Sequence, residues 1–386
     1  MKSKIRVGVL FGGRSAEHEV SLVSAASIIN AFDKDKYEIV PIGITPEGKW
    51  LSSADAVELL KSGVRLNSKS EQILLPDPKH RGLVQLNPKS LPAASLWQAG
   101  KIQNPKPLDV IFPVLHGPFG EDGTMQGLLE LTGIPYVGAG VLGSSVGMDK
   151  VVTKQLCERA KIPITPYVWF LKKQYDLNKK TIIASIEQRL RYPCFIKPAN
   201  MGSSVGITKA HNRKELLEAI DLAAKYDRKI LVEKSIENAR EIEVSVLGND
   251  DPIASIPGEI ISSNEFYDYD AKYVDGKSQA IIPAQLSKNI VRKLQKYAIN
   301  GFKAIDCAGM ARVDFLVTKR TNKIYFNEIN TIPGFTSISM YPKLWEASGI
   351  PYAELLDRLI TLAFDRYQEH LPLKTSFRPK SNWFRR

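Results

Sequence analysis

The chain begins with the pattern of a β-strand, a helix and a second strand in immediate succession. Residues 5–11 form an apolar run that ends at Gly12-Gly13, and residues 37–44 form a second apolar run. Between them, residues 15–32 carry apolar or small side chains at helical spacing. Two strands joined by a helix usually lie parallel in one sheet, so this pattern predicts an α/β fold built on a parallel sheet.

The rest of the pattern divides into three consecutive α/β domains. Residues 1–140 are predicted to form an N-terminal domain, and residues 46–107, rich in Pro, Lys and Ser, form an insertion with little core-forming pattern. Residues 141–235 and 236–370 form a central and a C-terminal domain, and residues 371–386 form a basic tail. Helices are expected at about 121 onward, 144–160, 214–226, 287–304 and 353–370, and a strand near 136–137.

The composition restricts the class of protein. Of 386 residues, 44% are hydrophobic and 24% are charged, which excludes a disordered, collagen-like or coiled-coil chain. The 53 Lys and Arg residues against 41 Asp and Glu residues give a net charge of +12, which favours anionic partners. A nucleic-acid-binding protein would concentrate these charges in stripes with stacking aromatic side chains. The basic residues are scattered instead, so no nucleic-acid partner is expected.

The cysteines and the apolar runs predict the cellular environment. Cys157, Cys194 and Cys307 lie far apart without a CxxC motif, so we expect reduced thiols in the core. No apolar run approaches the ~20 residues that a membrane span needs. The first apolar run ends in a glycine turn and not in a signal-peptide cleavage pattern. These features predict a cytoplasmic protein that does not insert into a membrane.

A predicted hairpin carries the clearest chemical pattern. Because side chains alternate along a strand, Arg312 and Asp314 share one face, as do Glu328 and Asn330. A turn near Thr321 sets Asp314 opposite Glu328, and Arg312 opposite Asn330. Two carboxylates and an amide oxygen are hard ligands that suit Mg²⁺ together with substrate phosphates. The alternative is a solvated sheet face with one Arg–Asp pair.

Two segments could offer backbone N–H groups to a ligand. Residues 331–339 follow the hairpin and lack an obvious core pattern. Lys197 ends a predicted strand and precedes the loop Gly-Ser-Ser-Val-Gly at 202–206, which could cradle phosphates or be a flexible loop without a ligand. This loop does not match the Walker A motif of a P-loop. The segment of the chain that comes nearest to that motif, residues 271–278, has Ala271 where the first glycine must be.

Three further segments are candidates for ligand contact. Residues 263–279 are polar, contain three tyrosines and lack core periodicity, which favours a functional lid. Glu17 and His116 follow first-domain strands, at the edge where ligands bind in open α/β sheets. Taken alone, Glu17 is more typical of an acid in the first turn of a helix, and His116 of a buried imidazole.

Seven segments match one family in sequence and in order. They are FGGRSAEHEVSL at 11–22, HGPFGEDGTMQG at 116–127, GMDK at 147–150, IKPANMGSSVGI at 196–207, YDYDAKY at 267–273, ARVDF at 311–315 and NEINTIPGFTSISMYPKLW at 327–345. The chain thus resembles the D-alanine–D-alanine ligases of the ATP-grasp superfamily from about residue 4 to 368. Residues 46–107 match only loosely, and the basic tail has no counterpart. The resemblance implies a three-domain ATP-grasp architecture with an N-terminal Rossmann-like parallel-sheet domain.

The resemblance also implies a reaction. ATP would phosphorylate one D-alanine to D-alanyl phosphate, and a second D-alanine would attack it, giving D-alanyl-D-alanine for peptidoglycan precursor synthesis. A ligase of the same fold that uses D-serine or D-lactate as the second substrate is the alternative. Tyr273 favours the amide-forming enzyme over a D-lactate ligase, whereas D-serine stays open. A homodimer is expected, with ATP as co-substrate and two Mg²⁺ ions that Mn²⁺ could replace.

For ATP and metal, the resemblance implies a cleft between the central and C-terminal domains. Lys150 and Lys197 would reach the phosphates, and Glu241 would meet the ribose. The two metal ions would be held by Asp314, Glu328 and Asn330. The other implied ATP contacts are Ser203 and Ser204 over the phosphates, Glu233, Lys234 and Ile236 at the adenine edge, and Lys272 at the γ-phosphate.

For the amino acids, the resemblance implies a site beside the phosphates. Glu17 would take the ammonium of the first D-alanine, and His116 would lie near its carboxylate. Ser203 would link Glu17 to Tyr273 and so brace the lid. Ser339 and the backbone of Met340 would hold the carboxylate of the second D-alanine, while Arg312 and the Gly334 N–H would form an oxyanion site. The implied catalytic residues are therefore Glu17, Ser203, Tyr273, Arg312, Gly334 and Ser339.

Overall fold

The computed structural model describes residues 3–52, 56–57, 72–79, 81–85, 106–261 and 279–374. Its first sheet has the strand order β3–β2–β1–β6, where β1 is Ile5–Gly12, β2 Tyr37–Ile44, β3 Trp50–Ser52 and β6 Val110–Val114. Helix α1 (His18–Ala31) joins β1 to β2, and β1 is parallel to both β2 and β6. The predicted parallel sheet is confirmed, with β3 added antiparallel at the edge.

The segment predicted to be an insertion contributes to this sheet's core. Strands β4 (Gln72–Leu74) and β5 (Leu83–Gln85) pair with each other. Leu51 and Leu74 are buried, and Leu74 packs with Leu10 of the first sheet. The expectation of little core-forming pattern was therefore wrong for these residues. Strands of three residues are too short for their alternation to stand out in the sequence.

Two predictions near the end of the first domain need correction. Helix α2 (Thr124–Thr132) begins three residues later than expected, after Gly123, whose φ of 91° is open to glycine but not to most residues. In place of a strand near residue 136, Tyr136 makes a single bridge to Ile111. One bridged residue pair is too short to count as a strand.

The second sheet is antiparallel, and its strands lie in the order β7 (Tyr167–Leu171), β10 (Lys229–Lys234), β8 (Cys194–Pro198) and β9 (Thr208–Ala210). The helix predicted at 144–160 is broken at Asp149, whose carboxylate accepts hydrogen bonds from the N–H groups of Val151 and Val152 and so starts a new helix. The elements of this part are α3 (Val141–Met148), α4 (Lys150–Arg159), β7 (Tyr167–Leu171), α5 (Lys172–Arg189), β8 (Cys194–Pro198), β9 (Thr208–Ala210), α6 (Arg213–Ala223) and β10 (Lys229–Lys234).

The third sheet contains the hairpin. Its strands are β11 (Ala239–Gly248), β12 (Ile253–Ala254), β13 (Gly258–Ile261), β14 (Gln279–Ile281), β15 (Gly309–Thr318) and β16 (Ile324–Asn330), and helix α7 (Lys288–Ala304) covers it. Asp314 lies opposite Glu328, and Arg312 lies opposite Asn330, which confirms the predicted register. The pairing shifts by one residue after Asp314, beyond the polar patch.

The segment after the hairpin ties the third sheet to the first. Ile332 and Phe335 are buried in the core of the first sheet, where Phe335 meets Phe112 edge to face. Helices α8 (Met340–Ala347) and α9 (Tyr352–His370) follow, and Leu355 of α9 joins the same core. The expectation that residues 331–339 lack core was wrong, because their apolar neighbours come from another domain.

The cysteine prediction is confirmed: Cys157, Cys194 and Cys307 are buried and form no disulfide. Burial raises the pKa of the Cys194 thiol to about 11, so this group stays protonated at neutral pH. Within the described ranges, no helix has both the length and the apolar character to span a membrane.

Candidate active site

Two grooves meet where the three sheets converge. The first groove is lined by Glu17, His116 and Ser339, and the second groove by Lys197 and Glu233. Arg312 and Glu328 line both, so the two grooves join at the hairpin. All predicted site residues that the structure describes line one or both grooves, namely Glu17, His116, Lys150, Lys197, Ser203, Ser204, Glu233, Lys234, Ile236, Glu241, Arg312, Asp314, Glu328, Asn330, Gly334, Ser339 and Met340. Lys272, Tyr273 and all of the predicted lid (263–279) except Gln279 lie outside the described residues.

The Gly-Ser-Ser loop after β8 crosses from the second sheet to the first domain. Ser203 and Ser204 have φ values of 46° and 60°, a left-handed conformation that costs energy for a residue with a side chain. A Cβ on Gly202 would lie 2.5 Å from Glu17 Oε2, so a side chain at this position would displace the Glu17 carboxylate. The Ser203 hydroxyl donates a hydrogen bond to Glu17 Oε1, and the loop thereby brings together two predicted site residues.

A neutral imidazole lies in the first groove. His116 Nδ1 lies 3.0 Å from the carbonyl oxygen of Ile332, so this nitrogen carries the proton. Burial lowers the pKa of His116, against the opposing charge of Glu17, and the ring is neutral at pH 7. Its Nε2 is buried and has no hydrogen-bond partner among the described residues.

Glu121 is a site residue to which the sequence predictions gave no role. Its Oε1 accepts a hydrogen bond from the N–H of Gly117, and its Oε2 is buried without a partner in the described part of the chain. Burial, and then the charge of Glu17, raise the pKa of Glu121 to about 8, against the effect of the Gly117 N–H. Its place in the loop after His116 was the only sequence signal for it.

The hairpin holds Arg312 between two carboxylates. Arg312 donates two hydrogen bonds to Asp314, from Nε at 2.8 Å and from Nη2 at 2.7 Å. Glu243 of β11 lies opposite Asp314 in the register, and its Oε2 is 3.1 Å from Arg312 Nε. Burial alone lowers the pKa of Arg312, but the charges of Asp314 and Glu243 outweigh it and raise that pKa well above its usual value. Glu243 was not among the predicted site residues.

The hairpin residues also fit a divalent cation. Asn330 Oδ1 is buried and accepts no hydrogen bond from the described residues, and Glu328 lies 3.9 Å from Lys150 Nζ. Lys150 donates to the carbonyl oxygen of Met201 at 2.6 Å. The described ranges contain no group of three or more His, Cys, Asp or Glu side chains close enough to hold a metal ion. Any site here would therefore depend on the amide oxygen and on substrate phosphates in addition to Asp314 and Glu328.

The second groove contains a buried carboxylate between two lysines. Lys197 Nζ lies 2.7 Å from Glu233 Oε2, and Lys154 Nζ lies 2.5 Å from Oε1. Burial raises the pKa of Glu233, but the two ammonium groups outweigh it and hold that pKa well below its usual range. The pKa of Lys197 is raised although burial opposes this. Lys154 was not predicted as a site residue, since it reads as part of a helix interior.

The start of α8 forms one side of the first groove. Ser339 precedes this helix, and its Oγ accepts a hydrogen bond from the N–H of Thr336 at 3.0 Å. A Cβ on Gly334 would lie 2.8 Å from Ser339 Oγ, so the backbone approaches closely here. The N-terminus of α8, which begins at Met340, presents N–H groups that favour a negatively charged ligand group.

The chain is similar to known proteins along nearly its whole length. A family model described as "D-ala D-ala ligase N-terminus" matches residues 6–139, and one described as "D-ala D-ala ligase C-terminus" matches residues 156–361. A D-alanine–D-alanine ligase of Chloroherpeton thalassium is 55% identical over 367 residues, covering 95% of this chain and 98% of that one. A ligase of the same name from Natranaerobius thermophilus is 50% identical, covering 97% and 99% of the two chains.

Solved structures agree with the fold. The VanG D-Ala:D-Ser ligase from Enterococcus faecalis has a TM-score of 0.80 and 36% identity, covering 94% of this chain and 100% of that one. The D-alanine–D-alanine ligase from Coxiella burnetii has a TM-score of 0.79 and 37% identity, covering 96% of each chain. These likenesses confirm the predicted α/β ATP-grasp fold with a mostly parallel N-terminal sheet. Because both family models match and relatives share half or more of its residues, this chain belongs to the D-alanine–D-alanine ligase family.

Proposed function

We propose that this enzyme joins two D-alanine molecules to D-alanyl-D-alanine with cleavage of ATP, as a cytoplasmic step in peptidoglycan precursor synthesis. Family membership supports the reaction. The observation that carries the site assignment is the junction of two grooves at Arg312 and Glu328. A nucleotide in one groove and an amino acid in the other would bring a phosphate and a carboxylate together at that junction.

The reaction has two steps. A carboxylate oxygen of the first D-alanine attacks the γ-phosphorus of ATP, and ADP leaves, which gives D-alanyl phosphate. The neutral amine of the second D-alanine then attacks the acyl carbon, loses a proton, and expels phosphate from the tetrahedral intermediate. Activation is needed because a free carboxylate is a poor electrophile. Water must be excluded because an acyl phosphate hydrolyses.

In the second groove, cationic side chains suit the nucleotide. Lys197 in this groove, and Lys150, which lines the first groove near Glu328 at the junction, contact the phosphates. The Ser203–Ser204 backbone lies over them. Glu241, on β11 at the far end of the groove, meets the ribose hydroxyls. The strand end that contains Glu233, Lys234 and Ile236 meets the adenine edge.

The residues at the hairpin suit Mg²⁺, or Mn²⁺ in its place. Asp314, Glu328 and Asn330 would hold the ions, and the buried amide oxygen of Asn330, which accepts no hydrogen bond from the described residues, supports this. When bound, divalent ions offset the negative charge that accumulates during phosphoryl transfer. Arg312 and the N–H of Gly334 stabilise the oxyanion of the tetrahedral intermediate, worth about 3–4 kcal/mol per donor at comparable sites.

In the first groove, the acids suit an α-amino acid. Glu17, held by Ser203, takes the ammonium of the first D-alanine, and neutral His116 lies beside its carboxylate. The carboxylate of the second D-alanine binds at Ser339 and the N–H of Met340, at the start of α8. Lys272 and Tyr273 belong to the same proposal by their sequence match alone.

The choice of second substrate is directly testable. Curated relatives that are 50% and 55% identical carry the name D-alanine–D-alanine ligase, whereas the structure named as a D-Ala:D-Ser ligase is 36% identical. We therefore expect D-alanyl-D-alanine to dominate when the purified enzyme receives ATP, Mg²⁺ and D-alanine with equal D-serine or D-lactate. Products are measured by mass spectrometry, with a reaction lacking D-alanine as the control. A mixed product in excess over D-alanyl-D-alanine would contradict the assignment.

A further inference from the structure

Lys154 is a fully buried lysine for which the reaction above gives no role. It lies on α4 with 1% of its surface exposed and lines neither groove. Its ammonium lies 2.5 Å from Glu233 Oε1, and 3.2 Å from both Thr165 Oγ1 and the carbonyl oxygen of Asn327. Lysine is almost never fully buried unless it is paired, because removing its charge from water is costly.

Glu233 has two cationic partners. Its carboxylate lies between two ammonium groups, with Lys154 at Oε1 and Lys197 at Oε2. One lysine suffices to neutralise this carboxylate, and the charges of Glu328 and Glu241 also attract Lys197. Lys154 therefore keeps Glu233 paired if Lys197 turns to an anion from outside, which in this groove would be a phosphate of the nucleotide.

We propose that Lys154 is a positioning residue for nucleotide binding. It keeps Glu233 ionised and correctly oriented when Lys197 leaves Oε2 to contact a phosphate. The hydroxyl of Thr165 donates to the same Oε1 at 2.6 Å, so that oxygen stays held while Oε2 becomes able to accept a hydrogen bond from the ligand. Glu233 Oε2 then suits a base with an exocyclic amino group, such as adenine, because that amino group can donate a hydrogen bond to it. This inference rests on the proposed nucleotide site.

Replacing Lys154 by methionine separates this role from a structural one. Without nucleotide, Lys154→Met leaves a balanced pair of Lys197 and Glu233, and the methionine fills similar volume, so the fold persists. With nucleotide, Lys197 must leave a buried carboxylate that is then unpaired, and such a group is costly. The defect therefore appears on nucleotide binding and not in the free enzyme.

The experiment is calorimetric titration of the full-length chain with Mg²⁺-ADP, which needs no D-alanine. We expect Lys154→Met to weaken ADP binding about tenfold or more. In the ligase assay, we expect the KM for ATP to rise and the KM for D-alanine to stay unchanged. The preference for ATP over ITP, which has an oxo group in place of the amino group, should also fall.

Arg366→Met is the matched control. Arg366 is a partly buried cation, which donates to the carbonyl oxygens of Gly138 and Tyr136 and lines neither groove. This variant should lower the melting temperature and leave the Kd of ADP unchanged. If Lys154→Met behaves in the same way, with unchanged ADP affinity and ATP-to-ITP ratio, the proposal is overturned.

A second variant serves if Lys154→Met does not fold. Thr165→Val removes the other hydrogen bond to Glu233 Oε1 without removing a charge, and it should weaken ADP binding severalfold and reduce the ATP-to-ITP preference. Unchanged values for both would also overturn the proposal. A wild-type enzyme that binds ADP but forms no D-alanyl-D-alanine would contradict the proposed function and not this inference.

Discussion

The two grooves differ in how they hold buried charge. In the second groove, Glu233 lies between two lysines, and at the junction Arg312 lies between Asp314 and Glu243. In the first groove, Glu17 and Glu121 are both buried acids, and burial, followed by the charge of Glu17, raises the pKa of Glu121 to about 8. The buried carboxylate of the second groove is therefore paired in the ligand-free protein, whereas these two acids form no ion pair within the described part of the chain.

This difference matches the chemistry of the proposed ligands. ATP brings a multiply charged triphosphate that can exchange places with protein carboxylates already held by lysine and arginine. D-alanine brings an ammonium group, which is the counter-charge that Glu17 lacks among the described residues. The ion pairs of the second groove compensate its buried carboxylate, whereas Glu17 has no ion-pair partner among the described residues, which makes the first groove attractive to a cation.

The largest effect is expected at the junction, from Glu328→Gln. Glu328 lines both grooves, and the amide keeps its shape but removes a charge that we assign to the metal site. Losing it should reduce turnover by roughly 10²–10³-fold, since metal ions stabilise such transition states by several kcal/mol. Phosphate release at saturating Mg²⁺ measures this, with the exposed Glu346→Gln as control. Turnover near that of the wild type would refute the metal assignment.

A smaller effect is expected from Glu17→Gln in the first groove. Loss of the charge that pairs with the substrate ammonium should reduce kcat/KM for D-alanine about 10–100-fold, because a hydrogen bond to a charged group is worth about 1.5–3 kcal/mol. The KM for ATP should stay unchanged. Glu19→Gln, at an exposed position in the first turn of α1, is the control. An equal loss in ATP affinity would show that the two grooves are not separate in their electrostatics.

The smallest effect concerns stability and pH, through Glu121. Its pKa of about 8 in the folded enzyme exceeds the ordinary value of 4.5. Between these two values the folded state retains a proton that the unfolded state releases, so stability falls as pH rises toward the folded pKa. Glu121→Gln lacks this titration. Its free energy of unfolding, relative to that of the wild type, should therefore increase by about 1–2 kcal/mol as the pH rises from roughly 6.5 to roughly 8.5.

Urea denaturation of the ligand-free protein at both pH values measures the change. The exposed Glu218→Gln on α6 is the control and should differ from the wild type by the same amount at both pH values. If the difference between Glu121→Gln and the wild type is also the same at both, Glu121 is ionised in the folded state. The contrast between the two grooves would then lose its main support.

Local pattern predicted much of the fold and part of the site. The strand alternation of the hairpin correctly paired Asp314 with Glu328, and Arg312 with Asn330. The βαβ pattern predicted the parallel sheet at the start of the chain. Both depend on neighbours within a few residues, where backbone geometry alone determines which side chains share a face.

Tertiary structure decided which charges meet. Lys154 and Glu233 are far apart in sequence, as are Glu17 and Ser203, and no periodicity links either pair. Phe335 likewise reads as a loop residue until the first sheet supplies its apolar neighbours. The sequence by itself determined the elements and the set of residues available for chemistry. Only tertiary packing determined the charge states of Glu121 and Glu233, because burial and neighbouring charges set a pKa, and for both residues these come from distant parts of the chain.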